Sequence, residues 1–224
     1  MQKIIFLFFL TFISFFILSI IYLSTFGLET SKFNNIIING IKKKDPNINL
    51  SLNKINIKFD IKKIQIYLST VEPLITYQNI KIPIKEINLY TKIISILKSN
   101  NEINRATVSL ENFNIEDIQK LAIRIKPSNF KNYLLNNFNK GMVKKIFIDV
   151  KLGENLNIED YKISGAVKQL NIRIPGDLSV QNVKFNFITD KNLTFINSLN
   201  ANYQNILISD GSLNLKRNKK INIE

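Results

Sequence analysis

The chain contains no cysteine and no histidine. The first absence excludes disulfides, thiolate nucleophiles and thiolate metal sites. The second removes the commonest general base and the commonest transition-metal ligand. Glycine and proline are scarce, seven and five in 224 residues, which leaves room for long uninterrupted strands. Arginine is scarce too: Arg105, Arg124, Arg173 and Arg217 are the only four among 31 basic residues. Arginine is the preferred reader of phosphates and guanine, so the formal charge of +14 does not point to nucleic acid. It reads as a lysine-rich solvated surface or, more sharply, as attraction to anionic lipid headgroups.

One long apolar run is present. Ile4 to Phe26 are uncharged and mostly aliphatic or aromatic, and Ile4, Phe8, Phe12, Phe16, Ile20 and Leu23 are spread along the whole stretch. As a helix it reaches roughly 34 Å, enough for a hydrocarbon core of about 30 Å. A cleavable signal peptide has a shorter apolar core and a small-x-small cleavage step, whereas this run ends Tyr22-Leu23-Ser24-Thr25-Phe26-Gly27. The expected organisation is a leader at 1–3, a transmembrane signal anchor at 4–27 and one domain at 28–224. Lys32 and Lys42-Lys43-Lys44 follow the run, against the usual charge bias. Long domains translocate largely regardless of charge, so the carboxyl-terminal domain is expected outside.

Beyond Gly27 polar and apolar residues alternate. A helical element is expected at about 30–43, from Phe33, Ile36, Ile37 and Ile41, capped by Thr30 or Ser31 and stopped by Asp45-Pro46. It either packs on the domain or lies against headgroups. Ile48, Leu50 and Leu52 then alternate with polar residues, as do Ile55, Ile57, Phe59 and Ile61, and again Ile64, Ile66 and Leu68. Period two places each set on one face of a strand. The doubled polar positions Asn53-Lys54 and Lys62-Lys63 would flip that face, so each marks a turn or a bulge. Pro83 disfavours a central ladder position. Ile93, Ile94, Ile96 and Leu97 suggest a short helix; Ala106 to Leu110 and Phe113 to Ile115 return to alternation. A helix at about 128–140 carries Phe130, Leu134 and Phe138, with Gly141 as its stop. From Val143 a meander follows: Val143–Leu152, Tyr161–Ile174, Leu178–Ile188, Leu193–Leu199, Tyr203–Ile208 and Ser212–Leu215. Turns are expected at Gly153-Glu154-Asn155, Pro175-Gly176-Asp177, Asp190-Lys191-Asn192 and Asp210-Gly211.

No catalytic constellation emerges. There is no Walker loop, no Gly-x-Gly-x-x-Gly and no Gly-x-Ser-x-Gly. Glu111, Glu116-Asp117, Glu154, Glu159-Asp160, Asp190 and Asp210 fall mostly at expected strand ends and turns. Glu159 and Asp160, adjacent on a strand, would face opposite ways. The expectation is a protein without enzymatic activity, cofactor or metal. What alternation does supply is a broad apolar sheet face, with Ile55, Ile57, Phe59, Ile61, Ile64, Ile66, Leu68, Val108, Leu110, Phe185 and Phe187 as candidate lining. That face is either the dry interior of a closed β-sandwich, as in a structural or interaction module, or the wall of an open groove. Each methylene moved from water onto such a wall gains about 0.8 kcal/mol.

Several stretches carry a family resemblance. They are Asn47 to Ile57, Lys85-Glu86-Ile87-Asn88-Leu89, Ile93 to Leu97 and Arg105 to Asn112, then Ile125-Lys126-Pro127, Ile163 to Leu170 and Ile208 to Leu213. In these the chain resembles the AsmA-like superfamily of envelope proteins, especially its larger TamB/YhdP-like members, which are similar to bridge-like lipid-transfer proteins. The resemblance implies a mostly β fold with a few helices, in which an N-terminal transmembrane helix precedes a long twisted antiparallel sheet curled into an open groove. It implies a single helix in a bacterial inner membrane, a periplasmic domain, phospholipid as partner and a role in lipid transport or outer-membrane homeostasis. It brings no catalytic residues. The large members run far beyond 224 residues, so this chain is expected to be an N-terminal portion. Its last sheet edge would then meet a continuation or an envelope partner.

Overall fold

Twenty-four residues of the apolar run, Gln2–Thr25, form one helix, α1. Its side chains are exposed along most of its length, so it packs on little of the protein; it is long and apolar enough to cross a membrane. The structure, a computed structural model, describes residues 2–32, 34–92, 103–124, 128–153, 156–174, 176 and 178–216. Phe33, the expected helix at Ile93 to Leu97, Ile125-Lys126-Pro127, Glu154-Asn155, Pro175, Asp177 and the segment after Lys216 lie outside these.

The rest of the molecule is mostly β. An 11-stranded antiparallel sheet runs in the order β1 (Leu28–Thr30), β3 (Ile55–Asp60), β4 (Gln65–Val71), β7 (Ile84–Lys92), β8 (Ile103–Leu110), β10 (Phe138–Leu152), β11 (Ile158–Ile174), β12 (Leu178–Asp190), β13 (Leu193–Tyr203) and β14 (Ile206–Lys216), with β9 (Phe113–Asn114) beside β10. The first and last strands on this path do not pair, so the curled sheet stays open. A separate three-stranded sheet joins β2 (Ile48–Ser51), β5 (Leu74–Tyr77) and β6 (Ile80–Ile82). Its neighbours outside the sheet are helices: α2 lies against β2, and the helix that follows β9 approaches β6.

The doubled polar positions act as alternation requires. Asn53-Lys54 separates β2 from β3, which lie in different sheets, and Lys62-Lys63 forms the β3–β4 turn. Pro83 sits between β6 and β7, where no ladder donor is lost. Helix α2 (Asn34–Lys44) begins later than the sequence suggests. Thr30 belongs to β1, and the buried Asn34 side chain donates to the Leu52 and Asn53 carbonyls at 3.0 and 2.9 Å. This fixes α2 against β2, as a packed helix of the domain.

Two further helices lie on the large sheet. The expected alternation through Ile115 is corrected: α3 (Ile115–Arg124) starts there, with Ile115 and Ala122 buried. Glu116 and Asp117 occupy its first turn, where negative charge favours a helix N-terminus. Helix α4 (Asn129–Asn137) is capped by Ser128, whose Oγ accepts from the Lys131 amide. It stops at Phe138, three residues before Gly141, because the chain passes straight into β10. The Gln119 side chain donates to the Leu134 and Phe138 carbonyls, tying α3 to the end of α4. Beneath them lies the core of Ile115, Val143, Val167, Leu170, Val183 and Ala201.

A band of bulges crosses the five longest strands. Lys145, Gln169, Asn182, Ser198 and Asp210 all have positive φ, and the ladders shift register beside them. A bulge inserts one residue, bends its strand and increases twist, so the band curves these strands together. The expected Asp210-Gly211 turn is therefore a bulge within β14. The turn itself falls at Gln204-Asn205, and two strands replace the expected three after Leu193.

Gly141 has another role than the one its spacing suggests. Its φ is +154°, and an added Cβ would stand 2.9 Å from the Leu170 Cα. Backbone cannot yield as a flexible side chain would. We expect Gly141→Ala to destabilise the protein by about 2 kcal/mol, seen as a lower denaturation midpoint with the sheet signal retained in circular dichroism.

Candidate functional site

The two faces of the large sheet differ in chemistry. Residues directly opposite one another in a ladder share a face, so rungs can be followed across strands. One runs Leu28, Ile57, Leu68, Leu89, Ala106, Val150 and Tyr161. The next runs Ile55, Thr70, Ile87, Val108, Ile148 and Ile163. Phe59 and Ile66 pair beyond them, and Phe187, Ile196 and Leu213 continue the same face across β12–β14. The rungs form one apolar surface spanning most of the sheet.

Coverage of that surface is uneven. Toward α3 and α4 it is sealed by the core cluster, against which Phe185 and Phe187 are packed at their inner edges. Their rings meet edge to face at 6.4 Å, and Phe187 occupies the space a Gly165 side chain would fill. Away from the helices many residues of this surface are half-buried. Ile57, Phe59, Ile66, Leu68, Val108 and Leu110 are all of this kind.

The candidate lining residues therefore separate. Ile57, Phe59, Ile66, Leu68, Val108, Leu110, Phe185 and Phe187 lie on one face and remain partly accessible. Ile55 is on that face but 0% exposed, so it supports the wall without lining it. Ile61 and Ile64 belong to the β3–β4 turn and stand outside the wall. Leu89, Ile148, Val150 and Ile163 complete it and were missing from the candidates; their alternation is the same signal. Among the anchor positions, Ile4, Phe8, Phe12 and Phe16 are exposed on α1, while Ile20 and Leu23 are half-buried.

The opposite face is mostly polar. Tyr67 and Tyr90 stack at 5.2 Å, and Arg105 lies 5.1 Å over the Tyr90 ring. Arg105 also holds Asp149 through two hydrogen bonds of 2.7 Å, a bidentate pair that ties β8 to β10. Phe147, Ile188 and Phe195 form an apolar exception on this side. Along the bulge band an open cleft of about 520 Å³ is lined by Lys144, Lys168, Lys184, Asn182 and Asn200 among others. Part of the lysine excess thus sits on a solvated face. Among the described residues no group of three acidic side chains is placed to hold a metal ion.

Hydrogen bonding from Arg105, opposed by partial burial and aided by its charge, lowers the Asp149 pKa from its ordinary 3.8. A carboxylate with a depressed folded pKa contributes stability above its unfolded pKa and loses it as pH falls through the folded value. We expect Asp149→Asn to cost about 1–2 kcal/mol at neutral pH. Denaturation midpoints should show the variant and the parent converging as the pH is taken below about 4.

Compared with known proteins, the chain matches no family model, no curated protein and no solved structure.

Proposed function

We propose that this chain is a membrane-anchored envelope protein that binds or conducts phospholipid acyl chains along the apolar wall of its sheet, as an AsmA-like groove protein would. The observation that carries the reading is the continuous apolar face: rungs crossing up to seven strands of a sheet that does not close on itself, with Ile57, Leu68, Leu89 and Val108 half-buried. Acyl chains suit such a surface because their transfer from water is favourable along its length and needs no directional partner. In this reading α1 sits in a bacterial inner membrane and the sheet in the periplasm, where the protein contributes to lipid transport or outer-membrane homeostasis. The protein carries lipid and catalyses no bond-making step, since the wall presents hydrocarbon rather than acid, base or nucleophile.

The test uses photocrosslinking side chains placed in the full chain in membranes. Positions Leu68 and Val150 on the apolar wall should label with phospholipid, and Lys58 and Tyr67 on the opposite face should not. Leu68→Asp, which puts a charge on the wall, should cut the phospholipid that co-purifies by several-fold. Equal labelling from both faces, or none from either, would refute the proposal.

A further inference from the structure

The β3–β4 turn has a composition at odds with a solvated hairpin. It runs Ile61-Lys62-Lys63-Ile64, with Ile61 50% and Ile64 65% exposed. Ile64 has φ +52°, a left-handed conformation that a β-branched residue adopts only with strain; glycine, asparagine or aspartate is the usual occupant of such a position. Asp60 sets the turn by accepting from the Lys62 and Lys63 amides at 3.0 and 3.2 Å. A tight, well-bonded turn therefore presents two isoleucines outward with two lysines between them.

The apolar helix enters the sheet from the side of this turn. β1 is antiparallel to β3, with Thr30 opposite Ile55 and Leu28 opposite Ile57. Tracing the chain back from Thr30 through Leu28 into α1 therefore moves along β3 toward Asp60 and the turn. α1 packs on β3, and the half-buried Ser19, Ile20, Leu23 and Ser24 cluster in its last turns while Ile4 to Leu18 stay exposed. The isoleucines thus lie at the end of β3 from which the apolar helix arrives.

We infer that the Ile61–Ile64 turn is a second membrane contact, inserting its isoleucines into the bilayer leaflet from which α1 emerges while Lys62 and Lys63 meet anionic headgroups. An apolar tip flanked by lysines fits the boundary between acyl chains and headgroups, where insertion reaches about 5–10 Å, and lysines near an anionic surface add to the attraction. The inference rests on α1 being seated in the membrane and is independent of lipid binding by the wall. With two points of contact the sheet is held against the leaflet in one orientation.

The chain has no native cysteine, so single-cysteine labelling has no background. Ile61→Cys and Ile64→Cys, and Leu207→Cys as a control, carry an environment-sensitive fluorophore on the full chain. Each is reconstituted in vesicles of phosphatidylethanolamine and phosphatidylglycerol. Leu207 is 73% exposed beside the β13–β14 turn, at the other end of the strands. Nitroxide-bearing lipids should quench the labels at 61 and 64 at least about twofold more than the label at 207. Equal quenching in vesicles that carry the protein through flotation overturns the inference alone. Failure of the protein to float with the vesicles overturns it together with the reading of α1. Shielding at 61 and 64 without nitroxide quenching means a protein contact there and also overturns it. Adding K62E and K63E should lower the quenching in these anionic vesicles and leave it unchanged in phosphatidylcholine; equal quenching in anionic vesicles would overturn the headgroup contact.

Discussion

A strand of fifteen or seventeen residues keeps its apolar side chains on one side only while strict alternation holds, and one extra residue moves every later side chain to the other. The architecture depends on how this chain manages that constraint. In β10 to β13 a doubled polar position interrupts the middle of each strand and is absorbed by a bulge at Lys145, Gln169, Asn182 or Ser198, and Asp210 marks the corresponding bulge in β14. The bulge takes up the surplus residue and restores the phase, so Val143 and Ile146, or Val167 and Leu170, stay on one wall. Since every bulge also bends its strand, the correction that preserves chemical sidedness produces curvature as well. Apolar lining and curled sheet share one cause.

A curled sheet with one greasy side partly open forgoes the second layer that stabilises a sandwich. Its support comes from elsewhere. The ladders are long and wholly antiparallel, and α3 and α4 seal part of the wall over Val143, Val167 and Leu170. On the other side the Tyr67–Tyr90 stack, Arg105 and Asp149 fasten β4, β7, β8 and β10 across their strands. These polar ties fasten the strands from the face opposite the apolar wall. The helices gather where the chain turns around at Ile55, Val71, Ile84 and Leu110, which keeps the seal local.

The long apolar helix, the predominance of strands, the β3–β4 turn and the role of Pro83 were legible in the sequence because each rests on a local pattern. α3 was not read, although Ile115, Ile118 and Ala122 recur at helical spacing; two alternating residues before them masked the change of period. The bulges of the long strands were missed for a different reason. Lys144-Lys145, Lys168-Gln169 and Asn197-Ser198 are doubled polar positions of the kind recognised at Asn53-Lys54, but their flanking stretches looked long enough to absorb a break. Gly141 shows a limit of another kind: its spacing from α4 suggests a cap, whereas its need is set by Leu170 on the next strand, which no local pattern encodes. Which lining positions are sealed and which accessible likewise depends on where α3 docks.

The junction between helix and sheet is two residues, Phe26 and Gly27. Gly27 closes α1 with φ +75°, and any side chain there would overlap the Asn56 amide; Asn56 in turn donates to the Phe26 carbonyl at 3.2 Å. One position later the chain is already paired with β3. Such a joint leaves little slack, so a tilt of α1 is passed on to the sheet and is not taken up by a linker. If α1 is seated in a bilayer as proposed, a change in local thickness or curvature around it would reach the β strands as mechanical torque.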